Sequence, residues 1–356
     1  MKYSAQVEKK LKKFKTQKLV LRPTPISRLE QISAQLGVPD LFIKREDLTG
    51  LAFGGNKSRK LEYIMQDVID SQSDVVITWG SVQSNWCLQT AAAARKFGIK
   101  PILLLFQTYE TEGIMDGNLL LDFILDSDIR IMDAKKGQVV KAEEVEALLE
   151  VVQNQVVEWG HKPYIIPIGG SMVGGSMKKP LGAVAYVDVY LELRRQMESL
   201  NKKADWIVLA SGSGGTQAGL AAGARLCGDD TKVAGISVSE DTKGFSQEIR
   251  EISEDVMTCL DLKTDLSEED ILVFDDYIGA GYGTLDKNVT EAIKMMAVHE
   301  GIFMDPIYTG KAVAALLDLI KKSIIKKDHT VLILHTGGTP VLFPYKKGIE
   351  KFLTKS

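Results

Sequence analysis

Residues 74–80 read DVVITWG, a run of β-branched and aromatic residues that ends at a glycine. An alanine-rich helical stretch through residues 91–94 follows, and residues 101–106, PILLLF, form the next apolar run. This order predicts a strand, a helix and a second strand. Similar apolar runs recur at residues 41–44, 164–168, 206–210, 233–238, 271–274 and 331–334. Continuous apolar strands bounded by glycine turns are typical of parallel sheets covered on both faces, so an α/β protein is predicted.

Length and composition restrict the class of protein. The chain has 356 residues, of which 45% are hydrophobic and 26% charged, and a net charge of −3. A chain of this length suits two lobes better than one core. The charge gives no reason to expect a nucleic-acid partner. The sequence contains no apolar run of about 18 residues, so no membrane span is predicted. Cys87, Cys227 and Cys259 lie far apart, which predicts neither disulfides nor zinc but a reducing, cytoplasmic location. We also expect no metal site.

The lobe boundaries are predicted from one glycine-rich segment and one helix start. Residues 169–176, GGSMVGGS, form the most hinge-like stretch of the chain. A second crossing between the lobes is expected just after Lys57. The prediction is therefore a large domain of residues 1–57 and 175–356, and a small domain of residues 58–174.

Lys57 opens a helical stretch and lies on its apolar side. Residues at helical spacing from Lys57 are Leu61, Ile64, Met65 and Val68. The opposite, solvent-facing side is expected to carry Arg59, Glu62, Gln66 and Asp70. A buried lysine loses charge because burial disfavours the ammonium, and a neutral amine can attack an aldehyde. The alternative is a lysine whose stem is buried while its amine reaches solvent.

Residues 211–216, SGSGGT, follow an apolar strand and precede a helix. Glycines let backbone amides converge, and the free amides of a helix amino terminus bind phosphate. A purely structural glycine turn is the alternative. The segment is not a dinucleotide fingerprint, because Gln217 stands where a third glycine is needed. A second loop, at residues 50–57, resembles a nucleotide-binding loop but has Asn56 where that motif needs lysine, so ATP hydrolysis is not favoured.

Three further turns carry polar or aromatic groups. Ser84 and Asn85 follow the first strand, where they could cap a helix or bind a substrate carboxylate. Tyr282 and Tyr308 lie on glycine-flanked turns, where they could cover core or point into a cleft. Residues 335–340, HTGGTP, follow the last strand, at the end where open α/β sheets bind ligands. Together these turns and the buried lysine indicate a phosphate-bearing aldehyde cofactor between two lobes.

The chain resembles the pyridoxal-phosphate enzymes of the tryptophan-synthase β-like fold, within the branch of D-cysteine desulfhydrase and 1-aminocyclopropane-1-carboxylate deaminase. The similarity spans about residues 22–344. Its most specific elements are residues 44–48, KREDL, and residues 54–61, GGNKSRKL. The resemblance implies a two-lobed fold of type II among pyridoxal-phosphate enzymes, in which each lobe is an open, mostly parallel sheet flanked by helices. It also implies pyridoxal 5′-phosphate as the cofactor.

Residue roles are implied by this resemblance at matching positions. Lys57 matches the lysine that forms the Schiff base, and Asn56 beside it is expected to bind the cofactor. Asn85 matches the contact to the cofactor's phenolic oxygen, and Ser84 lies near the substrate carboxylate. Tyr282 and Tyr308 match two active-site tyrosines. The expected phosphate cup consists of Ser213, Gly214, Gly215 and Thr216.

Thr309 and Thr336 separate the two activities of the branch. Deaminases carry glutamate and leucine at these positions, and a carboxylate would keep the pyridine nitrogen of the cofactor protonated. A hydroxyl leaves that nitrogen largely neutral, which suffices for β-elimination because thiolate is a good leaving group. The sequence therefore favours elimination of D-cysteine to pyruvate, hydrogen sulfide and ammonia, with Lys57 as the base at Cα. The alternatives are an L-cysteate sulfo-lyase, the deaminase, and a non-catalytic cofactor-binding protein.

Two segments depart from the pattern of the branch. Trp86, Cys87 and Leu88 replace a polar or basic pair, and residues 172–180 are longer than the usual connection. Both changes are expected near the mouth of the site, so they bear on the substrate, an amino acid, more than on the chemistry. The resemblance further implies a homodimer.

Overall fold

The structure of the protein is a computed structural model that describes residues 2–109 and 115–353, with residues 2 and 3 described by their backbone alone. The strands of the described ranges are β1 Ile26–Arg28, β2 Leu41–Arg45, β3 Val75–Ser81, β4 Lys100–Gln107, β5 Asp128–Asp133, β6 Pro163–Ile165, β7 Trp206–Ser211, β8 Lys232–Ser237, β9 Ile271–Phe274 and β10 Val331–His335.

The helices of the same ranges are α1 Lys2–Leu11, α2 Glu30–Leu36, α3 Lys57–Asp70, α4 Asn85–Lys96, α5 Gly117–Ile124, α6 Ala142–Glu158, α7 Leu181–Ser199, α8 Gly215–Cys227, α9 Thr242–Cys259, α10 Lys287–Glu300, α11 Thr309–Lys321 and α12 Lys346–Leu353. Within this part of the chain, no helix is both long and apolar enough to cross a membrane.

The strands form two sheets. One has six strands in the order β1-β2-β10-β7-β8-β9, all parallel except for β1, which runs antiparallel to β2. The other has four parallel strands in the order β5-β4-β3-β6. The predicted α/β architecture with mostly parallel sheets is confirmed. All strands of the smaller sheet lie between residues 75 and 165, and the larger sheet draws its strands from both sides of that segment. The domain limits at residues 57 and 174 stay a prediction.

Every predicted strand is present, with small differences at the ends. The run at residues 164–168 forms a strand only to Ile165, because Pro167 and a short 3₁₀ helix at Ile168–Gly170 follow. Two strands were not predicted, β1 and β5. Strand β1 has only three residues, and β5 is an edge strand whose side chains are mostly exposed or half-buried. An edge strand carries charges and lacks the apolar run on which the prediction depended.

Helix α3 is buried on nearly every side, which corrects one prediction. The stripe Leu61, Ile64, Met65 and Val68 is buried as expected, but Arg59 and Glu62 are buried as well instead of facing solvent. The cause is tertiary: α3 packs against α7 as well as α4. The Arg59 guanidinium donates to Glu46 at 3.0 Å and to Glu192 at 2.8 Å. Glu62 accepts the backbone amide of Leu19 at 3.0 Å. Because these charges are paired, the helix can carry them inside the protein.

Candidate active site

A cavity of about 340 Å³ is lined by residues from both sheets. Its walls come from the loops that follow β3, β7 and β10, and from the start of α3. Because parallel strands end at the same edge of a sheet, residues far apart in the chain meet there. The structure brings together ten of the twelve predicted site residues as cavity lining: Asn56, Lys57, Ser84, Asn85, Ser213, Gly214, Thr216, Tyr282, Tyr308 and Thr336. Gly215 and Thr309 lie behind the wall.

Lys57 is the first residue of α3 and lines this cavity. Its side chain is half-buried by surface area, because the cavity itself provides the exposed part. The surrounding protein disfavours the ammonium and lowers the pKa of Lys57 to about 8. A substantial fraction of this amine is therefore neutral and nucleophilic near neutral pH.

Lys60, one turn after Lys57, is a buried cation that the sequence analysis did not select. Its amine donates to the carbonyl of Gly169 at 2.9 Å and to Ser171 Oγ at 3.2 Å. Burial lowers the pKa of Lys60 well below its usual value, and the nearby charge of Lys57 lowers it further. A dianionic group close to Lys60 would oppose both effects. The position of the Lys60 amine beside the cup depends on the contact between α3 and the 169–171 segment, which no local pattern in the sequence indicates.

The predicted phosphate cup lies between β7 and the start of α8. Gly214 has φ of +68°, a conformation that glycine adopts without strain. Among the described residues, the backbone amides of Ser213, Gly214, Thr216 and Gln217 have no hydrogen-bond acceptor. The free amides at the start of a helix carry partial positive charge, so this loop can hold a phosphate. The structure thus has the strand, glycine turn and helix that the sequence predicted.

The segment around Ser171 supports the cup from outside. Ser171 Oγ and Ser213 Oγ are 2.8 Å apart, and either can donate. A Cβ atom on Gly215 would lie 2.6 Å from Ser171, so only glycine fits between the two segments. Because Lys60 also contacts Ser171, its amine is held next to the cup. The glycine-rich segment predicted as a hinge is therefore also part of the site wall.

Asn56 joins the start of α3 to the cup. Its Nδ2 donates to Thr216 Oγ1 at 3.0 Å, and its backbone amide donates to the Thr336 carbonyl at 3.0 Å. These two bonds tie the Lys57 segment to α8 and to the loop after β10. The position of the lysine relative to the cup is consequently set by hydrogen bonds to Asn56.

Ser84 and Asn85 begin α4. Ser84 Oγ accepts the backbone amide of Cys87 at 3.1 Å, so the helix-capping role considered for it is present. Asn85 Oδ1 accepts from Asn118 Nδ2 at 2.7 Å. Asn118 is held in turn by the carbonyl of Gln83 at 2.9 Å. This arrangement fixes the Asn85 amide so that its Nδ2 remains a donor for a group in the cavity.

Tyr282 and Tyr308 approach each other in the wall of the cavity. Their hydroxyl oxygens are 2.6 Å apart, and both side chains line the cavity. Their position on glycine-flanked turns was predicted to allow a phenol in a cleft, and the structure places both there. Burial raises the pKa of Tyr308 well above its usual value. Burial also raises the pKa of Tyr282, and hydrogen bonds from neighbouring hydroxyls offset part of that rise.

The predicted pair Thr309 and Thr336 is divided by the structure. Thr336 lines the cavity, but Thr309 is buried behind it at the start of α11. Thr309 Oγ1 donates to Asp305 Oδ1 at 2.6 Å, and Asp305 also accepts the amide of Tyr308 at 2.9 Å. His335 Nε2 lies 3.0 Å from the Phe303 carbonyl, and its Nδ1 accepts the amide of Gly337. Asp305 and His335 therefore hold the turns that present Tyr308 and Thr336.

The segments that depart from the branch occupy different depths. Trp86 lines the cavity, and its Nε1 donates to Thr78 Oγ1 at 2.8 Å. Cys87 and Leu88 are buried beneath it, away from the expected mouth. Burial raises the pKa of the Cys87 thiol, so Cys87 is not a nucleophile here. Met172 lines the cavity, while Gly174 and Met177 form a tight turn after it.

The residues present fit pyridoxal phosphate. A lysine of lowered pKa in the cavity wall suits its aldehyde, and the free amides of the cup suit its phosphate. The Asn85 amide offers a donor for an oxygen on the ring. These three groups belong to the amino-terminal ends of α3, α8 and α4, and all of them line this cavity.

Comparison with known proteins identifies the family of the chain. The chain matches the family model described as pyridoxal-phosphate dependent enzyme over residues 18–337. It is 37% identical over 338 residues to D-cysteine desulfhydrase of Klebsiella pneumoniae (strain 342), covering 94% of this chain and 97% of the relative. It is also 37% identical over 348 residues to a putative 1-aminocyclopropane-1-carboxylate deaminase of Pyrococcus abyssi (strain GE5 / Orsay), covering 98% of this chain and 99% of the relative.

The fold agrees with a solved structure. A crystal structure of an ACC deaminase homologue superposes with a TM-score of 0.86 at 35% identity, covering 98% of this chain and 99% of the other. The predicted tryptophan-synthase β-like architecture, fold type II among pyridoxal-phosphate enzymes, is confirmed.

Proposed function

The chain belongs to the family of pyridoxal-phosphate dependent enzymes and is a lyase, and from that premise we propose that it catalyses α,β-elimination of D-cysteine. The products are pyruvate, hydrogen sulfide and ammonia. The observation that carries the proposal is Lys57, whose lowered pKa and place in the cavity suit both cofactor binding and removal of a proton. When bound, pyridoxal phosphate supplies the electron sink that acidifies the Cα proton of an amino acid.

We propose the following roles for the chain's own residues. Lys57 holds the aldehyde and then takes the Cα proton. The free amides of Ser213, Gly214, Thr216 and Gln217 bind the phosphate, and the nearby Lys60 amine, whose charged form a dianion would favour, adds to the site. Asn85 orients the cofactor ring, and Asn56 orients the segment that carries Lys57. Thr336 lies beside the cofactor ring. Ser84 binds the substrate carboxylate at the start of α4, where backbone amides add to its hydroxyl. Thr309 acts from behind, through Asp305.

The substrate assignment is supported by the relative named D-cysteine desulfhydrase and by the absence of a carboxylate at residues 309 and 336. Purified protein is to be incubated separately with D-cysteine, L-cysteine and L-cysteate while pyruvate is measured. D-cysteine is expected to be the best substrate. Pyruvate from L-cysteate alone would make the protein a sulfo-lyase, and bound cofactor without turnover of any amino acid would leave a non-catalytic binding protein.

Deamination of 1-aminocyclopropane-1-carboxylate is the second candidate, favoured by the Pyrococcus abyssi relative. The measurement is 2-oxobutanoate formed from that amino acid. Substantial turnover would overturn the reasoning from Thr309 and Thr336.

We further propose a homodimer in the cytoplasm. Exposed apolar side chains on α5, among them Phe123 and Ile124, support an oligomer because such groups are usually covered. Three free cysteines support a reducing compartment. Sedimentation equilibrium of the purified protein tests the first, and a purely monomeric protein would contradict it.

A further inference from the structure

Four hydroxyl groups form a continuous chain beside the cavity. Ser81 Oγ donates to the Tyr109 hydroxyl at 2.9 Å, and Tyr109 donates to the Tyr282 hydroxyl at 2.8 Å. The Tyr282 and Tyr308 hydroxyls are 2.6 Å apart. Ser81 ends β3 and Tyr109 follows β4, both in the smaller sheet, whereas Tyr282 and Tyr308 lie on loops associated with the larger sheet. The chain of hydroxyls therefore connects the two halves of the site.

Tyr109 is the one member of this chain that lies outside the cavity lining. Its side chain is 2% exposed, and its ring centroid lies 5.2 Å from that of Tyr282 and 6.2 Å from that of Tyr345. A Cβ atom on Gly283, where φ is +75°, would lie 2.0 Å from the Tyr109 ring. Because the ring is held so closely, its hydroxyl has one location, directly behind the Tyr282 hydroxyl.

The direction of the hydrogen bonds gives Tyr282 a special position. Tyr109 accepts from Ser81, so its own proton is free to point at the Tyr282 oxygen. Tyr282 therefore receives one donor from Tyr109, and a second when Tyr308 donates. Burial raises the pKa of Tyr282, but donors from Tyr109, Tyr308 and Ser81 lower it. A negative charge on the Tyr282 oxygen would be stabilised by two hydroxyl groups of this chain, whereas Tyr308, at the end of the chain, has one such neighbour.

We propose that Tyr109 is a positioning residue for the elimination, which rests on the proposed function. It holds the Tyr282 hydroxyl at the cavity wall and stabilises its oxygen when Tyr282 protonates the departing β-substituent. In that step the Cβ–S electron pair leaves with sulfur, the Tyr282 O–H bond breaks and an S–H bond forms. The proton that Lys57 takes from Cα restores the Tyr282 hydroxyl by way of water. The Cα–H electron pair forms the Cα=Cβ bond, and hydrolysis of the resulting enamine to pyruvate and ammonia consumes one water molecule from solvent.

The test compares two leaving groups in the full-length holoenzyme carrying Tyr109→Phe. Sulfur leaves better when protonated, whereas chloride from β-chloroalanine needs no proton. We expect kcat with cysteine to fall about tenfold, the effect of losing one hydrogen bond to a developing charge, while KM and kcat with β-chloroalanine change by less than about threefold. The matched control is Tyr345→Phe, which removes a buried hydroxyl that donates to the Gly283 carbonyl and is not part of the chain of hydroxyls. It should leave the ratio of the two kcat values, with cysteine and with β-chloroalanine, unchanged.

A second readout uses protein without cofactor. With tyrosine labelled by ¹³C at Cζ, the Tyr282 resonance is assigned by its loss in Tyr282→Phe, and its ionisation is followed with pH. In Tyr109→Phe the midpoint should rise by about one pH unit or more, since one donor to the phenolate is gone. Equal losses of kcat on both substrates, no loss on either, or an unmoved Tyr282 midpoint would overturn the proposal. If wild-type protein turns over neither amino acid, the proposed function fails, and the Tyr282 midpoint still decides the role of Tyr109.

Discussion

The reactivity of Lys57 towards an acylating reagent should report its charge state directly. The surrounding protein lowers the pKa of this amine to about 8. At pH 7.5 such a group is about one-quarter neutral, whereas a lysine with the ordinary pKa of ~10.4 is about 0.1% neutral. The neutral fraction of Lys57 is therefore about 200-fold larger. Since only the neutral amine reacts, this factor carries over to the labelling rate, reduced by whatever shielding the cavity walls impose.

The assay is competitive labelling with trace acetic anhydride from pH 6 to 11, with peptide mass spectrometry to follow each lysine separately. The cofactor is first removed with hydroxylamine. The expected midpoint for Lys57 is near pH 8, and the exposed lysines of the same sample are followed in parallel as internal controls. Lys57→Arg should remove the reactive peptide, and added pyridoxal phosphate should protect it. A Lys57 midpoint at pH 10 or above would refute the argument from burial.

Two further predictions concern stability. Asp122 is fully buried with both carboxylate oxygens unpaired in the described part of the chain, and burial raises its pKa well above the usual value. Because the pKa is raised in the folded protein, the contribution of Asp122 to stability is fully present below about pH 4 and is lost as the pH rises. The melting temperature of Asp122→Asn should therefore fall less between pH 5 and 8 than that of the wild-type protein. Parallel profiles for the two proteins would contradict this. Arg59→Met leaves Glu46 and Glu192 without their shared cation and should lower the free energy of unfolding in urea by about 3–5 kcal/mol. The control is Arg130→Met at a partly exposed ion pair, which should lower it by about 1 kcal/mol or less. Equal losses in the two variants would contradict the prediction.

Local patterns predicted most of the fold and part of the site. Apolar runs ending at glycine located the central strands, because burial on both faces requires apolar side chains at every position. The same rule missed β5, since an edge strand has one exposed side and tolerates charges. The turn at residues 211–216 was recognised because strand, glycines and helix are adjacent in the chain.

The groups that were missed share one property. Lys60 and Tyr109 owe their environment to segments more than one hundred residues away, Gly169 for the first and Tyr282 for the second. Likewise, Arg59 was expected in solvent because its helical position alone says nothing about a carboxylate at Glu192. No spacing rule contains such information.

The sequence by itself determined the order of strands and helices, the glycine turns after them and the place of Lys57 at the start of a helix, because each depends on neighbours a few residues apart. Only the tertiary structure decided which charges are buried, that Thr309 lies behind the wall and that Tyr109 touches Tyr282. Those outcomes depend on how two sheets and the helices between them pack, and the energy of a buried charge or hydroxyl is set by whichever distant group lies within about 3 Å of it.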